Sequence, residues 1–184
     1  MKRINIVSGL ERSGTSLLMQ ILDAGGASIA YDTSRVPDKN NPKGYYELEG
    51  GKIINKLMDK SFDFSKYENK FIKITAYGLK YLDDYKCNII FSERSIEEIL
   101  DSMEKMSKKD FDREESRDLL WRLLNNSKLR MYRNSNWNKI FINYNKLINN
   151  PDDELKKIKK FVSNFNIDKA KKVIDKNLYR NRRE

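Results

Sequence analysis

A chain of 184 residues, 39% hydrophobic and 11% aromatic, is long enough for one self-sufficient core and too apolar for a disordered segment. It has no histidine and a single cysteine, Cys87, which excludes Ser-His-Asp and Cys-His nucleophile systems, His-ligated zinc, internal disulfides and CxxC motifs. Its formal net charge is +10, almost all of it carried after residue 100, a field that suits anionic ligands or a solvated lysine-rich surface.

Residues 3–7 are apolar-rich with β-branched side chains and predict a strand. A turn at 8–13 leads into a helix over about 14–24, where Leu17, Leu18, Ile21 and Leu22 share one face and Gly25-Gly26 ends the run. Residues 28–31 read as a short second strand, and 32–44, rich in Pro, Asn, Asp and Lys, as a loop. Helical spacing returns over 48–58 through Leu48, Ile53, Ile54, Leu57 and Met58. Residues 71–75 predict a strand, and 88–92 another that is almost wholly apolar, as a buried parallel strand should be. A helix is expected over 95–106, opened by a capping box at Ser95 and Glu98. A long charged helix covers 113–133, and 139–144 is the fifth strand. The last helix starts at Pro151, with Asp152, Asp153 and Glu154 at its positive end, and runs to about 162. Strands alternating with helices, without hairpin signals, predict an α/β fold: a doubly wound parallel sheet of about five strands flanked by helices, in a single domain over 1–184. No apolar run approaches the length of a membrane-spanning helix, and the stretch from Met1 to Val7 is too short for a signal peptide, so a cytoplasmic setting is expected.

The strongest local signal is Ser8-Gly9-Leu10-Glu11-Arg12-Ser13-Gly14-Thr15-Ser16, set between the first strand and the first helix. Gly9 and Gly14 permit a tight turn, and the amides from about Arg12 to Ser16 converge on one anion at a helix N-terminus. Gly9, Gly14 and Ser16 fit the P-loop pattern G-x-x-x-x-G-K-[ST], so the sheet is expected to be of P-loop type. Thr15, however, replaces the lysine that neutralises the β- and γ-phosphates during phosphoryl transfer, which disfavours ATP or GTP hydrolysis. A cation lies inside the loop instead, at Arg12.

Arg12-Ser13-Gly14-Thr15-Ser16 resembles the Lys/Arg-Ser-Gly-Thr-Thr/Ser loop of sulfotransferases that use 3′-phosphoadenosine 5′-phosphosulfate (PAPS) and release PAP. Arg94 at a strand end, with Ser102 eight residues later, is similar to the family's 3′-phosphate motif. Ser102 lies two helical turns beyond Ser95, so it and Arg94 can grip one phosphate with charge-assisted bonds. Further matches run through Asn41-Pro42-Lys43-Gly44-Tyr45-Tyr46-Glu47, Tyr144 with Pro151 after it, and Leu178-Tyr179-Arg180-Asn181-Arg182. Together they cover nearly the whole chain and resemble small bacterial sulfotransferase-family proteins. Two departures stand out. Glu11 occupies a place where such loops commonly have Pro, and the family's Lys-Thr-His strand motif reads Lys73-Ile74-Thr75, with Thr75 where cytosolic relatives carry a histidine base.

The resemblance implies a donor site formed by Arg12, Ser13, Gly14, Thr15, Ser16, Arg94 and Ser102, with Tyr144 against the adenine and Arg180 and Arg182 reaching the 3′-phosphate. It implies Arg12 and Lys73 at the bridging and sulfuryl oxygens, where charge develops. The sulfuryl group carries one negative charge, so protein cations suffice and no metal is expected. With no histidine, the base is expected to be a carboxylate. Glu47 is the first choice, at the start of a helix and shielded by Tyr45 and Tyr46 so that its pKa rises, and Glu49 is the second. The acceptor is a small molecule, glycan or peptide, and no nucleic acid partner is expected. Two rivals remain: a P-loop nucleotide or metabolite kinase, for which Glu93 would have to hold magnesium, and a non-catalytic nucleotide or nucleic-acid binder. Against the latter, no strand alternates basic and aromatic residues for base stacking.

Overall fold

The structure, a computed structural model, describes residues 3–39, 41–107 and 111–176. Four strands, β1 (Ile4–Gly9), β2 (Phe71–Lys73), β3 (Cys87–Glu93) and β4 (Trp137–Asn143), form one sheet in the order β2-β1-β3-β4, with every pairing parallel. The fold is α/β with the sheet flanked by helices as expected, but among the described residues the sheet has four strands rather than about five. Residues 28–31 contribute only one bridge, Ile29 to Phe71, fixed by Phe71 N–H to the Ser28 carbonyl and Ala30 N–H to the Phe71 carbonyl, both 2.8 Å.

The helices are α1 (Thr15–Ala24), α2 (Ile53–Met58), α3 (Ile96–Glu104), α4 (Arg113–Arg133), α5 (Tyr144–Asn149), α6 (Asp152–Phe161) and α7 (Ile167–Lys171). Alternation along the strands sends successive side chains to opposite faces. Ile6, Ile72, Ile89 and Phe91 pack against α2, α3 and α4 on one face. Val7, Ile90 and Ile142 pack against α1, α6 and α7 on the other. β1 is thus followed by a helix on one face and β3 by a helix on the opposite face. Their C-terminal ends diverge at the switch point where open α/β sheets form a ligand crevice.

Two details correct the sequence reading. The 48–58 stretch is not one helix: a 3₁₀ turn at Glu49–Gly51, with Gly50 and Gly51 at φ 59° and 88°, precedes the short α2. Ser95 makes no side-chain cap at the start of α3, so the capping box does not form. α4 buries only Leu120, Ser127 and Met131, and is tied to α3 by charge. Arg113 bonds Glu97, Asp101 and Glu104, and Arg117 bonds Glu97. Their donated hydrogen bonds pull the Glu97 carboxyl down to about 2. Among the described residues no helix is long and apolar enough to cross a membrane.

Candidate active site

β1 delivers the chain into the glycine-bearing turn, and α1 leaves it. Gly14 sits at φ 99°, a conformation side chains disfavour, and a Cβ there would strike the Tyr144 ring. Arg12 itself adopts φ 64°. Ser13 Oγ donates to the Leu10 carbonyl (2.7 Å), and Ser92 Oγ of β3 donates to the Ser13 carbonyl (2.6 Å), so the turn is pinned to the neighbouring strand. α1 has no acidic residue in its first turn and no side-chain cap, which leaves its N-terminal amides suited to an anion.

The turn opens on a cavity of about 370 Å³ at the switch point. At one end Arg12 Nε donates to Ser102 Oγ (2.9 Å), and Arg94 Nη1 donates to the Arg12 carbonyl (3.0 Å). The Arg94 guanidinium lies 4.5 Å from the Tyr144 ring centroid. Arg94 and Ser102, expected to act as a pair, each bond Arg12 of the turn. Burial pushes the Arg12 guanidinium down, and the Arg94 charge adds to this while Tyr45 and Asp38 oppose it. Burial likewise pushes the Tyr144 phenol up. Tyr144 begins α5 rather than closing the last strand, and its ring forms a wall against Gly14.

Behind Arg94 stands a residue that the sequence reading misassigned. Glu98, with a side chain 1% exposed, accepts from Arg94 Nε (2.9 Å) and from Asn145 Nδ2 of α5 (2.7 Å). Its spacing from Ser95 matched a capping box, but its partners come from the residue just after β3 and from α5.

At the other end, Lys73 closes β2 with a side chain only 6% exposed. Its Nζ donates to Ser16 Oγ (3.2 Å), the Tyr45 carbonyl (2.7 Å) and Glu47 Oε1 (2.9 Å), which occupies all three ammonium protons. Burial pushes the Lys73 ammonium down, with the Glu47 charge opposing. Ser16 Oγ also donates to the Tyr45 carbonyl and accepts from Asn41 Nδ2, both at 3.1 Å, which fastens the 32–44 loop over the anion turn. Thr75 lines the same cavity.

Glu47 stands here, but not as expected. It precedes the 3₁₀ turn, in backbone whose neighbours Tyr46 and Glu49 have φ 55° and 57°. Oε1 takes the Lys73 ammonium, and Oε2 takes Arg35 Nη1 at 2.8 Å. Burial raises the Glu47 carboxyl, but Lys73 and Arg35 together outweigh it and hold the group below the usual carboxylate range. The expected upward shift is thus reversed. Glu49 is turned to Lys56, 2.8 Å away. Arg35, which carried no sequence signal, stacks 3.6 Å from the Tyr45 ring centroid. The Tyr45 hydroxyl donates to Asp38 Oδ2 (2.8 Å). Glu11 lines the cavity from the turn. Glu93, the rival magnesium ligand, pairs with Lys128. Arg180 and Arg182 lie outside the described residues.

A glycine-bearing turn between the first strand and first helix, at the switch point of a parallel sheet, gives the chain a P-loop-type α/β fold. No family model matches the chain, and no curated protein matches it. Among solved structures, it is similar to the sulfotransferase domain of the olefin synthase from Synechococcus PCC 7002. That likeness spans 96% of this chain and 83% of the other at 16% identity, with a TM-score of 0.53. A sugar kinase from Janibacter sp. HTCC2649 aligns over 95% of this chain and 99% of its own at 14% identity, with a TM-score of 0.44, too loose to carry a functional reading. The first likeness is one of fold.

Proposed function

We propose that the chain is a PAPS-dependent sulfotransferase, acting as one domain, that moves a sulfuryl group to a hydroxyl or amine of a small-molecule, glycan or peptide acceptor and releases PAP. The observation that carries this reading is the meeting of Arg12, Arg94 and Ser102, from three separate elements, beside a P-loop turn that has Thr15 in place of lysine. A triphosphate site needs that lysine, whereas a ligand with two separated anionic groups needs a second cationic pocket. The residues suit such a ligand. The cavity is lined by the cations Arg12, Arg35, Lys73, Arg94 and Lys105 against the acids Glu11, Glu47 and Asp175.

In this reading the amides of Gly14, Thr15 and Ser16 hold the 5′-phosphate, with Ser13 shaping the turn. Arg94 and Ser102 hold the 3′-phosphate; Arg12, expected at the bridging oxygen, is bonded to Ser102 and is drawn toward that phosphate instead, and Tyr144 flanks the adenine. Lys73, fixed on Ser16, keeps the transfer end positive where charge develops on the bridging oxygen. Glu47 takes the acceptor's proton. The bound donor supplies an activated sulfur, and protein cations provide the electrostatic stabilisation without a metal.

The test is transfer of label from PAPS to an acceptor panel in EDTA, run beside ATP turnover with magnesium. Sulfuryl transfer that survives EDTA is expected. ATP turnover that requires magnesium, with no transfer from PAPS, would move the chain to the kinase class.

A further inference from the structure

We infer that Arg35 selects the acceptor, and that the acceptor is a hydroxyl compound bearing an anionic group that draws the Arg35 guanidinium away from Glu47. This rests on the sulfotransferase reading and names the substrate class of the same site.

Both oxygens of Glu47 are occupied, one by each cation. The two cations differ in kind. Lys73 is buried at the end of a central strand and bonded three ways, so it is fixed. Arg35 rises from the 32–44 loop with a side chain 43% exposed, stacked on Tyr45 at the cavity wall. A guanidinium presents planar paired donors that match a carboxylate, sulfate or phosphate, and a flat aromatic face supports it as it swings. Lys73 and Arg35 share the one carboxylate of Glu47, with Asp38 held on the Tyr45 hydroxyl beside them, so Arg35 is the half-exposed cation at this end that an incoming anion can draw off.

The consequence is a gate on the base. While Arg35 sits on Oε2 it takes one of that oxygen's lone pairs and lowers its proton affinity, so water in the cavity is poorly activated. An anionic acceptor takes over the guanidinium and frees Oε2. Glu47 then accepts the hydroxyl proton as the acceptor oxygen bonds to sulfur. The sulfur–oxygen bond to the donor phosphate breaks, and its electron pair leaves with PAP. The sulfate ester and PAP account for all atoms. Tight backbone supports the device: Gly51 holds φ 88°, and a Cβ there would come within 2.8 Å of Glu47 Oε2.

The test compares the wild-type chain with Arg35→Gln and Arg35→Lys. Thermal shifts are read with PAP present, on adding meta-hydroxybenzoate or its neutral amide, meta-hydroxybenzamide. PAPS hydrolysis is read without acceptor. The expected result is that wild type favours the carboxylate by roughly tenfold, the size of one charge-assisted bond. Arg35→Gln loses that preference and hydrolyses PAPS several-fold faster, and Arg35→Lys, which keeps the charge but not the planar fork, retains only part of the preference. If wild type binds PAP and either effect of Arg35→Gln is missing, the Arg35 assignment is overturned while the sulfotransferase reading stands. If wild type does not bind PAP, both are overturned.

Discussion

The two ends of the cavity are built from different material. Arg94, Ser102, Glu98 and Asn145 stand on β3 or immediately after it, on α3 and on α5. A carboxylate 1% exposed holds Arg94 in place, and Arg94 in turn bonds the loop carbonyl of Arg12. Glu47, Arg35 and Asn41 stand on connecting segments, and five residues from 44 to 51 have positive φ, whereas at the other end Arg12, at φ 64°, shares that conformation. Two of these, Tyr46 and Glu49, are not glycine, and such backbone costs about 1–2 kcal/mol per residue. Strain of this kind persists where surrounding contacts enforce it, and it gathers at functional sites. The rigid end is suited to recognise an invariant ligand, the strained loop end to adjust to a partner that arrives later.

Four experiments would break or sharpen that contrast. The largest effect is expected at the loop end. Glu47→Gln should lower kcat for transfer by about 10²–10⁴-fold, the size of general-base catalysis, while leaving PAP affinity unchanged. Steady-state kinetics and PAP titration measure the two. A loss of PAP affinity instead would make Glu47 part of the donor site.

At the rigid end the expected effect includes stability. Arg94→Ala removes a cation from the buried Glu98 carboxylate, and truncating one partner of a buried pair costs about 3–5 kcal/mol. The same change should weaken PAP binding at least tenfold, from the loss of about 1.5–3 kcal/mol in a charge-assisted bond. Adding Glu98→Gln should recover most of the stability and none of the affinity. Urea denaturation and PAP titration of the single and double variants test this. Recovery of both would mean that Arg94 acts only through the fold.

The third effect is a pH dependence. Glu47 has its folded pKa held below the usual carboxylate range, so its contribution is present above that range and is lost as pH falls through the folded value. The stability gap between wild type and Glu47→Gln should therefore narrow on acidification, as read by urea midpoints at neutral and acid pH. The smallest effect is at Gly51→Ala, where left-handed backbone should cost about 1–2 kcal/mol, with a larger loss in kcat than in PAP affinity.

The rigid end was the more legible in sequence. The apolar β1, the spacing of Gly9 and Gly14, and the Arg94–Ser102 interval are short-range patterns, and in the fold Arg94 and Ser102 each bond Arg12 of the turn. The 113–133 helix matches α4, because its length and charge leave no competing structure. Glu98 was misread because a capping box and a pairing with Arg94 look alike at that range. The helix start at Glu47 was misread because Leu48, Ile53 and Leu57 reach the core from a turn and a short helix as readily as from one long helix. Gly50-Gly51 was the available signal of that break. Arg35 gave none, since its meeting with Glu47 depends on how the 32–44 loop folds back.

The central claim, a donor site with a separate 3′-phosphate pocket, is tested most directly by titrating PAP and ADP against the same protein in metal-free buffer. The account predicts that PAP binds at least tenfold more tightly than ADP, the value of about one charge-assisted phosphate contact, and that Arg94→Ala erases the difference. Equal affinity for PAP and ADP in the wild-type chain would contradict it.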